Sequence, residues 1–299
     1  MNQKKRDFIS FETMSGAEII ALLNLATRQK TDPNTYTYAG ILKGKLIGLY
    51  FEKASMRTRL SFEAAINQLG GRSLYLGIDC GRLGERECIK DFAKVASSYL
   101  DAFILRTFKH ESIVEMAAHA SRPVINALSD TQHPCQALGD LLTIREKVGR
   151  LDGVKVAYVG DSNNVCRSLA QSVPKVGAKL SVSSPDGYVF DNDFVKATGI
   201  EIFSDPAEAL KGADVIYTDV WASMGQETEA ESRRVSFQKY QVNAEMLKLA
   251  PKAIVMHCLP AHRGEEITDE VMDGPQSVVY AQAENRMHAQ RALLTHLLG

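Results

Sequence analysis

The sequence lacks the cysteine patterns of disulfide-rich and zinc-binding proteins. Its five cysteines are scattered, their number is odd, and none belongs to a C-x-x-C pair. This spacing predicts free thiols in a reducing compartment, and we expect the protein to work in the cytoplasm.

Long apolar runs and an excess of one charge are also absent. No stretch approaches the roughly 20 apolar residues of a membrane-spanning helix, and the N-terminus, MNQKKRDFISFE, has no signal-peptide core. The net charge of -1 comes from interspersed residues of both signs, so there is no broad basic surface. We therefore expect neither a membrane nor a nucleic acid as a partner.

The length and the order of predicted elements indicate an α/β protein with two domains. A chain of 299 residues can form two cores, and Gly149–Gly153 resembles the entry to a second domain. We expect domains at 1–148 and 149–282, followed by a C-terminal helix within 283–299. Apolar strands alternate with helical segments in both halves, which predicts two open parallel sheets with helices on both faces. Ligands bind beyond the carboxyl ends of such strands, so a cleft between the domains is expected.

Several elements can be predicted individually. A capping box at Ser15–Glu18 begins a helix that should end near Lys30, and Pro174 should distort the end of a helix that begins at Asn164. A long, charged loop is expected from Trp221 to about Arg234, and loops of that length are usually functional. The predicted strands are 46–51, 73–76, 102–106, 123–127, 154–159, 179–183, 214–219 and 253–258. The other predicted helices are 60–69, 89–99, 111–120, 133–148 and 284–298.

The segment Ser55–Arg59 places two hydroxyls and two guanidinium groups where a buried strand turns into a helix. A helix N-terminus offers free backbone N–H groups, and arginine adds forked donors that match phosphate oxygens. The density of such groups favours a phosphate site. The alternative is a serine N-cap followed by solvated arginines.

A second strand-to-helix turn, Gly160–Asn164, stands where a dinucleotide fingerprint would be expected. The G-x-G-x-x-G spacing is missing, which disfavours a Rossmann dehydrogenase. A carboxylate and two amides suit the carboxylate and ammonium groups of an amino acid better than a pyrophosphate. Capping of the helix by an Asx residue remains the alternative.

Further polar residues stand at predicted strand ends and helix starts. Arg106 ends a strand, while His133 and Gln136 begin a helix, and together they can polarise a carbonyl group. Each could instead be structural. Asp219 could bind an ammonium group, and Met224 could contact an aliphatic stem. The alternatives are a surface aspartate and a methionine of the core.

The pair His257 and Cys258 ends another predicted strand. Adjacent strand residues point to opposite faces, so we expect no metal site there. Cys258 is either a buried inert thiol or a group beside a nucleophilic amine.

Taken together, these segments resemble the aspartate/ornithine carbamoyltransferase family. Ser55–Arg59 matches S-T-R-T-R, His133–Gln136 matches H-P-x-Q, and Asp161–Asn164 is similar to the ornithine motif. Asp219–Gly225 matches D-x-x-x-S-M-G, His257–Pro260 matches H-C-L-P, and Arg286 lies in N-R-M-H, all in the family's order. The S-M-G and H-C-L-P segments resemble the ornithine-specific members.

The resemblance implies transfer of a carbamoyl group from carbamoyl phosphate to L-ornithine, giving L-citrulline and phosphate without a cofactor. It also implies that the C-terminal helix packs on the first domain and that trimers form, with sites at subunit interfaces. The implied catalytic residues are Arg106, His133 and Cys258. The implied carbamoyl phosphate ligands are Ser55, Met56, Arg57, Thr58, Arg82, Arg106, His133, Gln136, Cys258, Leu259 and Arg286. The implied ornithine ligands are Asn164, Asp219, Ser223 and Met224.

The sequence departs from the family pattern at two of these positions. Met56 replaces the usual threonine, and Arg82 stands where a neighbouring subunit's site usually receives a glutamine. We expect Arg82 to contact the phosphate bound by the next chain. The alternatives are a solvated Arg82, a carbamoyltransferase acting on a related amine such as an N-acylated ornithine, or a catalytically silent paralogue.

Overall fold

The computed structural model describes residues 5–32, 38–222 and 229–299. The chain forms two compact units, Met1–Leu142 with Glu284–Gly299 and Thr143–Ala283. Each unit contains one open sheet in which every strand pair is parallel. The predicted α/β class with two parallel sheets is confirmed.

The first unit contains a four-stranded sheet in the order β2-β1-β3-β4. Its strands are β1 (Leu46–Phe51), β2 (Arg72–Leu76), β3 (Ala102–Arg106) and β4 (Val124–Leu128). Its helices are α1 (Gly16–Thr31), α2 (Met56–Gln68), α3 (Ile89–Ala96), α4 (His110–His119) and α5 (Pro134–Val148, which enters the second unit). The long C-terminal helix, α12, spans Val279–Leu298, so it begins five residues before the predicted start at Glu284.

The second unit contains a five-stranded sheet in the order β7-β6-β5-β8-β9. Its strands are β5 (Lys155–Val159), β6 (Lys179–Ser183), β7 (Glu201–Phe203), β8 (Val215–Thr218) and β9 (Ile254–His257). Its helices are α6 (Asn164–Ser172), α7 (Asn192–Thr198), α8 (Pro206–Leu210), α9 (Ala230–Phe237), α10 (Ala244–Leu247) and α11 (Asp269–Met272).

Local sequence chemistry explains the elements that carry the site. β1 is buried from Ile47 to Phe51, as its unbroken apolar sequence requires of a parallel strand. A side chain at Gly48 would collide with Leu100, since an added Cβ would lie 2.5 Å from its Cδ1. Ser15 accepts a hydrogen bond from the Glu18 N–H, and the Glu18 carboxylate accepts from Ser15, so the capping box is confirmed.

Two predictions about helices in the second unit have different outcomes. α6 ends at Ser172 and a 3₁₀ turn follows from Pro174, as the missing proline N–H predicts. Residues 223–228 of the predicted loop from Trp221 to about Arg234 lie outside the described residues, and the prediction is wrong at its end, because α9 begins at Ala230. The charged residues of this segment gave no sign of a helix, although Arg233 and Phe237, four residues apart on one helix face, are both buried.

Each sheet changes direction beside its first strand. From β1 the chain goes first to β2 and then returns across β1 to β3, so β1 and β3 form a switch point. From β5 it goes to β6 and β7 and then returns to β8, so β5 and β8 form the second switch point. Ligands of α/β proteins bind beyond the strand ends at such points.

Candidate active site

The first switch point places a helix N-terminus beside a buried arginine. Ser55 is the N-cap of α2, and its Oγ accepts a hydrogen bond from the Thr58 N–H at 3.4 Å, so the cap that was the alternative to a phosphate site is present. Arg57 is exposed. Arg106 ends β3 opposite Phe51 of β1, and only 5% of its surface is exposed. Arg57 thus lies in the first turn of α2, which follows β1, and Arg106 lies at the carboxyl end of the neighbouring strand β3.

The two arginines of the Ser55–Arg59 segment have different surroundings. The Arg59 Nε donates to Glu63 Oε1 at 3.0 Å, and its guanidinium lies 3.9 Å from the centre of the Tyr75 ring. Its positive charge is thus compensated by Glu63. Arg57 carries the charge of the segment that an anion can use.

Arg286 connects α12 with the start of α2. Its Nη2 donates to the Thr58 Oγ1 at 2.8 Å, and both residues are buried. Gly139 of α5 makes this approach possible, because a Cβ there would lie 3.3 Å from the Arg286 Cα. Arg286 of the C-terminal helix therefore lies beside the N-terminus of α2 in the first unit.

His133 precedes the first residue of α5 and is buried. Burial lowers its pKa well below the usual range, and the positive charges of Arg286 and Arg106 lower it further. The ring is therefore neutral near pH 7 and carries one N–H donor. It can donate to a carbonyl oxygen, while the two arginines supply the positive charge.

Gln136 is oriented by a residue that sequence reasoning missed. Its Nε2 donates to the Asp140 Oδ1 at 2.9 Å, and both side chains are buried. The contact fixes which end of the amide is nitrogen, because a carboxylate only accepts. Gln136 then offers a carbonyl oxygen and one further N–H. Cys135, which precedes Gln136, is inert because burial raises its pKa to about 12.

The second switch point brings three predicted groups together around Asp219. Its Oδ2 accepts from the Asn163 Nδ2 at 2.8 Å, and its Oδ1 accepts from the Cys258 thiol at 2.9 Å. Asn163 also caps α6, because its Oδ1 accepts from the N–H groups of Val165 and Cys166. The capping alternative and the ligand-site interpretation therefore both apply to the same turn.

Asn164 is the first residue of α6 and is half-buried beside this group. Ser223 and Met224 lie outside the described residues, so their predicted contacts with ornithine stay predictions.

Asp161 starts the same turn and forms a buried ion pair. Its Oδ2 accepts from the Arg233 Nη1 at 2.9 Å. Burial raises the pKa of Asp161 to about 6, with smaller increases from Asp219 and Glu229, although Arg233 opposes the shift. The carboxyl group is thus ionised above pH 6 but close to its titration range.

Hydrogen bonds determine which ring nitrogen of His257 carries the proton. Its Nδ1 accepts from the Leu259 N–H at 2.9 Å, so the proton is on Nε2, which donates to the Glu266 Oε1 at 3.0 Å. This arrangement fixes the turn after β9, where Leu259 has a φ of 59°. A branched residue rarely adopts that conformation, and such strain occurs mainly at functional sites.

The prediction that the His257 and Cys258 side chains point to opposite faces of a strand is wrong. Donor atoms of Asp219, His257 and Cys258 all lie within 4.8 Å of one another. The strand ends at His257, so the alternation of side chains no longer applies to Cys258. Both His257 nitrogens already have hydrogen-bond partners, however, and the donor set does not favour a metal over the observed contacts.

Comparison with known proteins assigns different ligands to the two parts of the chain. Residues 6–146 match the carbamoyl-P binding domain of aspartate/ornithine carbamoyltransferase, and residues 152–297 match its Asp/Orn binding domain. The chain belongs to the aspartate/ornithine carbamoyltransferase family.

Individual relatives are similar over nearly the whole chain. An ornithine carbamoyltransferase of Symbiobacterium thermophilum is 50% identical, covering 99% of both chains. One of Hyperthermus butylicus is 51% identical over 98% of each. The solved ornithine carbamoyltransferase of Pyrococcus furiosus is 47% identical, has a TM-score of 0.94, and covers 99% of this chain and 97% of its own.

Within the family's carbamoyl phosphate domain, Arg82 lies on an exposed loop. Its guanidinium carbon is 4.6 Å from the centre of the Phe108 ring of the same chain, and its Nε is 3.9 Å from the Glu85 Oε1. Buried Glu52 connects this loop to the end of β3, because its carboxylate accepts from the N–H groups of Leu83 and Phe108. Whether Arg82 contacts another subunit stays a prediction.

The other side chains that sequence reasoning missed share one property. Glu52, Asp140, Arg233 and Glu266 are buried, and each contacts a predicted site residue or the loop that carries one. Their neighbours in the sequence carry no signal that distinguishes them from solvated charged residues. Met56, by contrast, is 76% exposed, so any contribution to carbamoyl phosphate binding comes from its backbone N–H.

Proposed function

We propose that the protein transfers the carbamoyl group of carbamoyl phosphate to the side-chain amine of L-ornithine, giving L-citrulline and phosphate. The observation that carries the proposal is the buried Asp219 carboxylate, which accepts from Asn163 and from the Cys258 thiol at a switch point of the Asp/Orn domain. That group suits a cationic amino acid. The names of the relatives support the same substrate.

The phosphate group would bind at the start of α2. Ser55, Arg57 and Thr58 stand at this helix N-terminus, where the first N–H groups have no partner within the helix and the dipole favours an anion. Arg286 acts through its hydrogen bond to Thr58 and adds a further positive charge. Charge on the departing phosphate is therefore stabilised as the C–O bond breaks.

The carbonyl group would lie against Arg106 and the neutral His133. Both donate toward the oxygen that becomes negative when the amine attacks, and Thr58 adds its hydroxyl. The oriented amide of Gln136 offers its carbonyl oxygen to the carbamoyl NH₂ group. Leu259 would contact carbamoyl phosphate through its backbone.

L-Ornithine would be bound by Asn164, Asp219, Ser223 and Met224, with Cys258 beside the attacking nitrogen. That amine must be neutral to attack, although a free amine of this type titrates near 10.4. The nitrogen forms a bond to the carbonyl carbon, phosphate leaves with the C–O electrons, and the proton that the nitrogen loses is taken up by the departing phosphate. Much of the acceleration then comes from positioning and electrostatics, without a cofactor or a metal.

The assembly and location are further parts of the proposal. We expect a homotrimer, or a multiple of trimers, in the cytoplasm, with Arg82 reaching the phosphate of a neighbouring chain. The family resemblance supports these expectations. Among the described helices, none combines the length and apolar character that crossing a membrane requires. A native mass would measure the assembly directly.

The test of the reaction is an amine panel with purified protein and carbamoyl phosphate. L-Ornithine should give citrulline and phosphate in equal amounts. L-Lysine, one methylene longer, should be a poor substrate because a methylene is worth only about 1–3 kcal/mol. Ornithine acetylated at its α-nitrogen should not be a substrate, since acylation removes the α-ammonium group that Asp219 is proposed to bind. Preference for the acylated amine, or no turnover of ornithine, would contradict the proposal.

A further inference from the structure

Arg233 is a buried cation that joins three separate segments of the second unit. It lies in α9, and only 6% of its surface is exposed. Its Nη1 donates to the Asp161 Oδ2 at 2.9 Å and to the Trp221 carbonyl oxygen at 2.8 Å, and its Nε donates to the Glu229 Oε2 at 3.1 Å. The guanidinium carbon lies 4.8 Å from the centre of the Tyr188 ring.

The two contacts of Nη1 are placed on either side of the second switch point. Asp161 follows β5 and is two residues before Asn163, while Trp221 follows β8 and is two residues after Asp219. One nitrogen therefore connects the loop that carries Asn163 with the loop that carries Asp219. Those two side chains contact each other at 2.8 Å.

A second set of contacts carries the position of Asp161 to Asn163. The Asp161 carbonyl oxygen accepts from the Asn163 N–H at 2.7 Å. Asn163 then donates to Asp219, whose other oxygen accepts from the Cys258 thiol. A displacement of Asp161 would thus reach the carboxylate proposed to bind the ornithine ammonium.

Fold stability alone does not require an ion pair at this place. Replacing a buried pair by apolar residues is often neutral or stabilising, whereas removing one member leaves an uncompensated charge. Arginine has the planar, forked donors that reach acceptors in different directions, and lysine does not. Arg233 donates to two loops and to Glu229 at once, which fits a role in holding those loops at a fixed distance.

We propose that Arg233 is a positioning residue, which sets the spacing of the loops that carry Asn163 and Asp219 and thereby the binding of L-ornithine. The inference rests on the proposed function. Arg233 acts through Asp161 and the Trp221 backbone and does not itself contact the substrate.

The test is steady-state kinetics of Arg233→Lys, which retains the charge but loses the fork. We expect kcat/KM for ornithine to fall by a factor on the order of 10², as a displacement of about 1 Å can cause, while the KM for carbamoyl phosphate stays near the wild-type value. Arg234→Lys is the matched control. Arg234 is the next residue of α9, its side chain is 55% exposed, and it pairs with Glu265 and Glu231.

Asp161→Asn provides a second variant that keeps the size of the side chain. It should raise the KM for ornithine in the same way, and combining it with Arg233→Lys should cost little more than either change alone, because the two act together. A merely structural pair predicts a lower melting temperature without selectivity between substrates.

Wild-type activity separates the two proposals. Absence of citrulline formation by the wild type would contradict the proposed function. An active wild type with unchanged ornithine kinetics in Asp161→Asn would overturn the role of Arg233, as would equal changes in the KM of both substrates in Arg233→Lys.

Discussion

Replacing Asp219 by asparagine should selectively weaken ornithine binding. The aspartate accepts from Asn163 through one oxygen and from the Cys258 thiol through the other. An asparagine can keep its oxygen toward Asn163, but it then turns an NH₂ group toward the sulfur. The change therefore replaces the hydrogen bond from the thiol by a weak contact from the NH₂ group to the sulfur, and it removes the negative charge that would bind an ammonium group.

The size of the effect follows from the lost charge. A hydrogen bond to a charged group is worth about 1.5–3 kcal/mol, which corresponds to a factor of about 10 to 150 in affinity. We expect kcat/KM for ornithine to fall by at least that factor, while the KM for carbamoyl phosphate changes little, since residues 6–146, which match the carbamoyl-P binding domain, do not include Asp219.

Citrulline formation under varied ornithine and then varied carbamoyl phosphate measures both effects. Asp214→Asn is the control, because Asp214 directly precedes β8, the strand that Asp219 follows. Its carboxylate accepts from the Lys155 N–H at 3.0 Å. It should lower stability without changing the ornithine KM. An Asp219→Asn protein with wild-type ornithine kinetics would refute the assigned role of this carboxylate.

Other residues give separate tests. Arg57→Ala should abolish useful carbamoyl phosphate binding, because the anion loses a forked, charged donor, and unchanged saturation by carbamoyl phosphate would contradict this assignment. If Arg82 acts across a subunit interface, inactive Arg57→Ala and Arg82→Ala proteins should regain activity when their subunits are exchanged; mixed oligomers without activity would exclude a shared site. Gly139→Ala and, more strongly, Gly139→Val should raise the carbamoyl phosphate KM by displacing Arg286, since an added Cβ would lie 3.3 Å from its Cα; an unchanged KM would show that α12 can move without loss. The pKa of Asp161 is raised to about 6, so the charge opposite Arg233 is present above pH 6 and is lost as the pH falls. The ratio of wild-type to Asp161→Asn kcat/KM for ornithine should therefore be largest at pH 8 and approach one near pH 5, and a constant ratio would show that this ionisation is irrelevant.

The same pKa also predicts how stability depends on pH. The ordinary pKa of aspartate is 3.8 and the folded value is raised, so the folded protein binds the proton more tightly than the unfolded chain. The resulting stabilisation is complete below pH 3.8 and is lost as the pH rises through about 6. Asp161→Asn should remove this contribution, which denaturant titrations at pH 5 and pH 7.5 can measure.

Sequence reasoning succeeded where the signal is local. The Ser55 cap, the Ser15–Glu18 capping box and the turn of Asn163 depend on residues two or three positions apart. Apolar runs such as Leu46–Phe51 also predict buried parallel strands without knowledge of the rest of the fold. These elements place most predicted site residues at strand ends.

Sequence reasoning failed where long-range contacts determine the environment. Glu52 is buried because its carboxylate accepts from Leu83 and Phe108, which are 31 and 56 residues away. Arg233 is buried because Asp161, 72 residues earlier, compensates its charge. A charged residue in such a position cannot be distinguished from a solvated one by its neighbours in the sequence, and this is why the sequence of α9 predicts a loop.

The identity of the acceptor atom tests the central claim most directly. Purified protein is supplied with carbamoyl phosphate labelled at its carbon and with L-ornithine, and the products are followed by NMR while phosphate is measured. We expect the label to appear in the ureido carbon of L-citrulline, with one phosphate released for each citrulline formed. Phosphate release without labelled citrulline, or label attached to the α-nitrogen of ornithine, would contradict the proposed reaction.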